Sequence, residues 1–302
     1  MIALLALAIA AAPPAVCNAV WHDAARDRDV PVRISLPAGK APVPLVVWSP
    51  GLGGDVSTGG VWARHWAGNG LAVVQMQHAG SDGAVYRPGG PPEERRARVI
   101  AGISPAQLLA RVGDARFVLS EVGRRDSEAG CDLTRVDTGR TAIAGHSMGA
   151  WVAQGIAGQV FNGEPALRDL RFRAALALSP TATPGTDAFA RVTIPFLSIT
   201  GTRDGVGDDA SDEIKAATLM ARTAAFRSMP ADGSKCLIVL DGVQHMMLAG
   251  SGTATEALTR HAETVTKAAS TAFLMAALAG KPVGLPAGVR AALGADDVLT
   301  CK

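Results

Sequence analysis

The chain has 302 residues, 48% of them hydrophobic, with 29 Lys and Arg against 27 Asp and Glu. That is enough apolar material for a sizeable core, and it excludes a disordered chain. A net charge of +2 gives no reason to expect nucleic-acid binding, which needs a clustered basic face.

The N-terminus, MIALLALAIAAAPPAVCNAVW, is apolar until it breaks at Pro13-Pro14. It is too short to span a bilayer as a helix. It resembles the apolar region of a secretory leader, with Ala8-Ile9-Ala10 as a small-x-small cleavage candidate, although no Lys or Arg precedes it. The expectation is a leader within residues 1–19 and one α/β domain over 20–302, periplasmic or secreted. A buried N-terminal segment of a cytoplasmic protein is the alternative. No later segment is long and apolar enough to span a membrane, so no stable insertion is expected after cleavage.

A charged turn, RDRD, joins two strands, NAVWHDAA and VPVRISLP. VPLVVWSP is a continuous apolar run, suited to a strand buried on both faces, and ends in the glycine-rich turn GLGGD. GLAVVQMQHAG is another such strand. Residues 83–102 read as part loop and part helix. The next helix has Ser104 as N-cap and Pro105 at its first position. RTAIAGH, FRAALALSP, IPFLSITG and KCLIVLDG then read as strands. Between or after them lie helical stretches at SMGAWVAQGIAGQ, SDEIKAATLMARTA and ATEALTRHAETVTKAASTAFLMAALAG. This alternation predicts a mostly parallel sheet of about eight strands with helices on both faces.

The chemistry concentrates at Gly145-His146-Ser147-Met148-Gly149, where a strand turns into a helix. A serine on so tight a turn has a strained backbone and an exposed hydroxyl, and glycines are needed on both sides to avoid clashes. The helix that follows aims its N-terminal amides at that hydroxyl. The plain alternative is a capping serine on a glycine-rich helix start. A serine nucleophile needs an imidazole to take its proton. His245 lies just past the last strand, at the carboxyl edge where Ser147 also lies. His78 follows another strand end and competes with it. Asp204, after IPFLSITG, is the expected acceptor for the second imidazole nitrogen, with Asp208 and Asp209 as alternatives. The order Ser147, Asp204, His245 is the Ser…Asp…His order of α/β-hydrolases. The backbone amides of Leu52 and Met148 are the expected oxyanion donors.

With these residues in place the chain resembles the α/β-hydrolase superfamily. Within it, the chain is similar to the bacterial proteins grouped with platelet-activating-factor acetylhydrolases and dienelactone hydrolases. LVVWSPGLGG, QHAGSD, GDARFVLSEV, IAGHSMGA, ITGTRD and LDGVQHM carry the resemblance. Pro50 stands where the family usually has histidine, and Ala79 where it has proline. The nucleophile position holds Ser147, whereas dienelactone hydrolases use cysteine. The resemblance implies a serine hydrolase that cleaves carboxylic esters, of short acyl chains, through an acyl-enzyme. Trp151 and His78 are the expected substrate-binding side chains, beside the aliphatic Leu52 and Met148. A peptidase or polyester hydrolase on the same fold, or a binding protein that keeps the fold, are the alternatives. No metal-ligand spacing or dinucleotide fingerprint occurs, so no cofactor is expected. Arg95, Arg96 and Arg98 read as a solvated helix face, or else as a rim that attracts acidic substrates.

Four cysteines lack any C-x-x-C spacing and allow three pairings. In the fold that the resemblance implies, all four gather at the sheet edge opposite the site. Cys17 with Cys131 and Cys236 with Cys301 is the pairing it favours.

Overall fold

A computed structural model describes residues 12–161, 163–207, 209–250, 256–285 and 287–302. The cleavage candidate at residues 8–10 lies outside them. The first strand, β1 (Ala15–Asp23), forms a hairpin with β2 (Arg28–Leu36). Residues 15–19, grouped with the leader in the sequence reading, are therefore part of the sheet.

The chain continues through β3 (Val43–Ser49), α1 (Gly60–Gly68), β4 (Ala72–Met76), α2 (Pro92–Gly102) and α3 (Pro105–Val122). A two-residue pair, β5 (Ser127–Glu128) and β6 (Cys131–Asp132), leads into β7 (Val136–His146) and α4 (Met148–Ala157). Then come β8 (Phe172–Leu178), β9 (Phe196–Arg203), α5 (Asp212–Ser228), β10 (Lys235–Gln244), α6 (Ala257–Leu278), α7 (Ala287–Ala292) and β11 (Val298–Cys301).

The main sheet has nine strands in the order β1-β2-β4-β3-β7-β8-β9-β10-β11. From β4 to β10 every neighbouring pair is parallel, and the antiparallel pairs lie at the two flanks. The architecture is thus the expected α/β one, but the sheet is mixed and one strand wider than predicted. The additional strand is β11. Its four residues carry little hydrophobic pattern, and they are held against β10 by a disulfide.

The central strands are buried throughout, β3 and β4 at every residue, as strands covered on both faces must be. One core joins α3 and α4 to one face, through Val112, Val118, Val152 and Ile156. A second joins α1 and α6 to the other, through Trp62, Trp66, Val265 and Phe273. Ser104 caps α3 by accepting from the Gln107 amide, with Pro105 at the first turn, as the sequence indicated.

Both disulfides form as the family resemblance favoured, Cys17–Cys131 and Cys236–Cys301. The first ties β1 to the loop before β7. The second joins directly opposed residues of β10 and β11. Their sequence separations are 114 and 65 residues. In the chain-entropy treatment, loops of that size restrict the unfolded chain by roughly 4–5 kcal/mol each. Two such bonds point to an oxidising, extracytoplasmic environment. Among the described residues, no helix is long and apolar enough to cross a membrane. Paired Cys→Ala substitution of either bond is expected to lower the unfolding free energy by about 2–4 kcal/mol, and reduction of both with dithiothreitol by more. Guanidinium titration under oxidising and reducing conditions measures this, and superimposable curves would contradict it.

Candidate active site

Ser147 sits between the end of β7 and the start of α4 with φ 56° and ψ −115°. A non-glycine residue there is strained by about 1–3 kcal/mol. The flanking glycines are required by space. A Cβ on Gly149 would lie 1.9 Å from the Ser49 carbonyl oxygen, and one on Gly145 would lie 2.3 Å from the Gly149 carbonyl oxygen. Only bare backbone allows α4 to start this close to the end of β3.

The parallel strands deliver the partners to the same edge. His245 Nε2 lies 3.0 Å from Ser147 Oγ. Its Nδ1 lies 2.7 Å from Asp204 Oδ1. A carboxylate only accepts, so Nδ1 carries the hydrogen and Nε2 turns its lone pair to the serine. Asp204 is buried at 1% exposure. Burial alone would raise its pKa. The His245 hydrogen bond, the Arg222 charge and the Ser179 and Thr200 hydroxyls outweigh that and hold the carboxyl below its ordinary value. Of the two alternative acids, Asp209 is exposed and Asp208 lies outside the described residues.

Two residues around the acid escaped the sequence reading. Ser179 follows β8, adopts φ 56° and donates its hydroxyl to Asp204 Oδ2, with His245 Nδ1 3.1 Å away. Arg222 reaches from α5 to Asp204 Oδ1 at 3.2 Å and donates to the Asp204, Ser179 and Pro180 carbonyls. The Ser-Pro step at a strand end was a usable signal for Ser179. Arg222 had none, because its role depends on which helix packs beside β9.

The turn after β3 closes the other side. A Cβ on Gly51 would stand 3.4 Å from the Ser147 Cβ. Arg111, fully buried on α3, donates to the Pro50 carbonyl at 2.6 Å and the Gly51 carbonyl at 3.1 Å. It also bonds Ser81 through both hydroxyl and carbonyl. In a trans peptide the carbonyl and the next N–H point in opposite directions. Holding the Gly51 carbonyl toward Arg111 therefore turns the Leu52 N–H away from α3. Among the described residues neither the Leu52 nor the Met148 amide donates to a protein acceptor. Both residues line, with Ser147, His245 and Trp151, a cleft of about 400 Å³.

His78, expected to bind substrate, lies outside the cleft. It is fully buried, with Nε2 2.9 Å from Ser49 Oγ and Nδ1 2.8 Å from Asp114 Oδ2. Asp114 also takes Arg26 and Arg28. This second Ser–His–Asp relay lies beneath the β3 turn and lines neither this cleft nor its neighbour. His146 is buried too. Its Nε2 lies 3.0 Å from the His245 carbonyl and its ring packs on the His245 ring. His22 and His261 pair with Asp29 and Asp297, away from the site. Arg95 and Arg98 donate to carbonyls of their own loop. Neither they nor Arg96 line the cleft.

The chain matches no protein-family model, and no curated protein is significantly similar to it.

The buried imidazoles make stability depend on pH. Burial, then the Arg111 charge, pushes His78 down to about 4, against the pull of Asp114. Burial, then His245, pushes His146 down to about 3. The unfolded chain protonates these groups near 6.5, and the folded chain does so only well below. Stability is therefore full above pH 6.5 and falls as pH drops toward 4 and 3. Asp114, held near 2, adds its loss only below its ordinary carboxylate range. Between pH 6 and 4.5 each imidazole is expected to remove up to about 1.4 kcal/mol per pH unit. Urea titrations across that window measure the slope, and His78→Gln is expected to lower it by one imidazole's share. A flat profile would contradict this.

Proposed function

We propose that the protein is a serine hydrolase of carboxylic esters, built on an α/β-hydrolase fold and exported to an oxidising compartment. One observation carries the reading: the continuous hydrogen-bond chain Ser147–His245–Asp204, anchored on a strained strand-to-helix turn. The strand order and the mainly parallel sheet support it, because they bring the ends of β7, β9 and β10 to one edge. The disulfides support the compartment.

In this reading His245 Nε2 takes the Ser147 proton as Oγ attacks the ester carbonyl, and Asp204 stabilises the imidazolium. The negative oxygen settles on the Leu52 and Met148 amides, helped by the positive end of α4. His245 then passes its proton to the leaving alcohol, and the acyl group stays on Ser147. Water, deprotonated by the same nitrogen, releases the acid. Ser179 and Arg222 act through Asp204. They occupy its remaining lone pairs, so the carboxylate cannot rotate away from His245 when the imidazole is neutral.

Wild-type protein is expected to hydrolyse p-nitrophenyl acetate and to be labelled at Ser147 by a fluorophosphonate. Ser147→Ala and His245→Ala should each lower kcat by about a thousandfold or more. Turnover that survives Ser147→Ala, or a folded wild type that neither labels nor turns over, would sink the proposal. Arg111→Met should lower kcat by about ten- to a hundredfold with KM changed far less, the signature of a lost oxyanion donor. Arg111→Lys, which keeps the charge but not the fork, should recover part of it. Equal losses in kcat and in folded fraction would instead assign Arg111 a purely structural part.

A further inference from the structure

A larger cavity, about 640 Å³, lies beside the cleft that holds Ser147. It falls in the range of sites that enclose small organic ligands, roughly 300–1,000 Å³. Its walls come from four places: Pro105, Leu108 and Leu109 at the start of α3, Trp151 on α4, Phe161 and Leu167 after α4, and the turn from Thr181 to Thr183 after β8. Trp151 and Ile103 line both spaces, so the two adjoin. Polar groups, Gln159 and Thr183 among them, share a lining that is otherwise apolar. The apolar surface runs on to the outside, with Ile103 at 44% and Leu109 at 57% exposure. Solvent-facing aliphatic side chains that continue an apolar cleft mark a place where apolar matter binds.

We propose that this cavity is a subsite for a long, unbranched apolar chain of the ester substrate. The proposal rests on the assignment of Ser147 as nucleophile. The occupant is a chain tethered to the carbonyl under attack, because the two spaces share the Trp151 wall. Trp151 stands four residues after Ser147 on the same helix, about one turn or 5.4 Å along its axis. With C–C bonds of about 1.5 Å, a chain of four or five carbons reaches that wall, and longer chains enter the second cavity. The long chain sits on either the acyl or the alcohol side of the ester, and on the acyl side it would extend the expected preference for short acyl chains. Each methylene taken fully from water is worth about 0.8 kcal/mol, or up to about fourfold in kcat/KM.

Two ester series test this and separate the two possible carriers of the chain. One is p-nitrophenyl acetate, butyrate, hexanoate and octanoate. The other is ethyl, butyl, hexyl and octyl acetate, followed by pH-stat titration. In wild type, kcat/KM is expected to rise at least tenfold from the four-carbon to the eight-carbon member of one series. A rise in the first places the acyl chain in the cavity, and a rise in the second places the alcohol chain there. Leu109→Glu, at the exposed lip, and Thr183→Trp, which fills the mouth, should each cut the eight-carbon to two-carbon ratio at least fivefold in that series. Both positions are exposed, so both variants should fold. Flat profiles in both series overturn the subsite, as does a rise that both variants leave intact. Hydrolysis of acetate that depends on Ser147 reports separately on the nucleophile. If no ester, acetate included, is cleaved in a Ser147-dependent way, the nucleophile assignment fails and the subsite falls with it.

Discussion

The contact on which the site depends is that between the backbone of the Ser147 turn and the end of β3. The chain reverses from strand to helix so tightly that the Ser49 carbonyl occupies the space a Gly149 side chain would need. The turn is held by pairing on both sides, because β7 lies between β3 and β8 and bonds to each. The packing of α4 into the core adds to this through Val152, Ala153 and Ile156. These contacts sustain the positive φ of Ser147, which an isolated peptide would relax. Three consequences meet at one atom. The hydroxyl is lifted clear of the sheet, α4 points its first amides at it, and the turn after β3 lies alongside.

Among the described residues two hydrogen-bonded Ser–His–Asp relays occur, and they differ in their surroundings. Ser49–His78–Asp114 has distances as short as those of Ser147–His245–Asp204. Its serine belongs to an ordinary strand and is fully buried. It lines neither the cleft at Ser147 nor the neighbouring cavity. Asp114 instead gathers Arg26 and Arg28 from the first hairpin. Arg111, one turn away on α3, grips the β3 turn. The buried relay thus joins the flank of the sheet to the loop that borders Ser147. Removing Asp114 would take the carboxylate from Arg26 and Arg28 at once, and breaking a buried ion pair typically costs 3–5 kcal/mol.

The parts of the site legible in the sequence were those encoded locally. The strand-to-helix turn shows itself through two glycines, and the acid and base through their places just after strands. Shared parallel direction does the rest, since it sends every such position to one edge. Ser179 left only its Ser-Pro step at a strand end, and Arg222 and Arg111 were illegible because each acts across elements whose adjacency depends on strand order. The buried place of His78 was hidden for the same reason. It follows a strand end as His245 does, but helix α3 covers it. Strand β11 has too few residues for a pattern of its own, and its place follows from Cys301. The start of β1 was hidden because the apolar beginning of the chain merges with a strand that also carries apolar residues.

Cys236 and Cys301 pair at the beginning of β10, whereas His245 follows its end. Lys302 exchanges backbone hydrogen bonds with Lys235 at that same far edge. The last residue of the chain is therefore moored at the opposite pole of the sheet from Ser147. A bead, surface or fusion partner attached there would hold the molecule with its open mouth facing the bulk solution. A pull on that attachment would load a covalent crosslink before it reached any residue of the cleft.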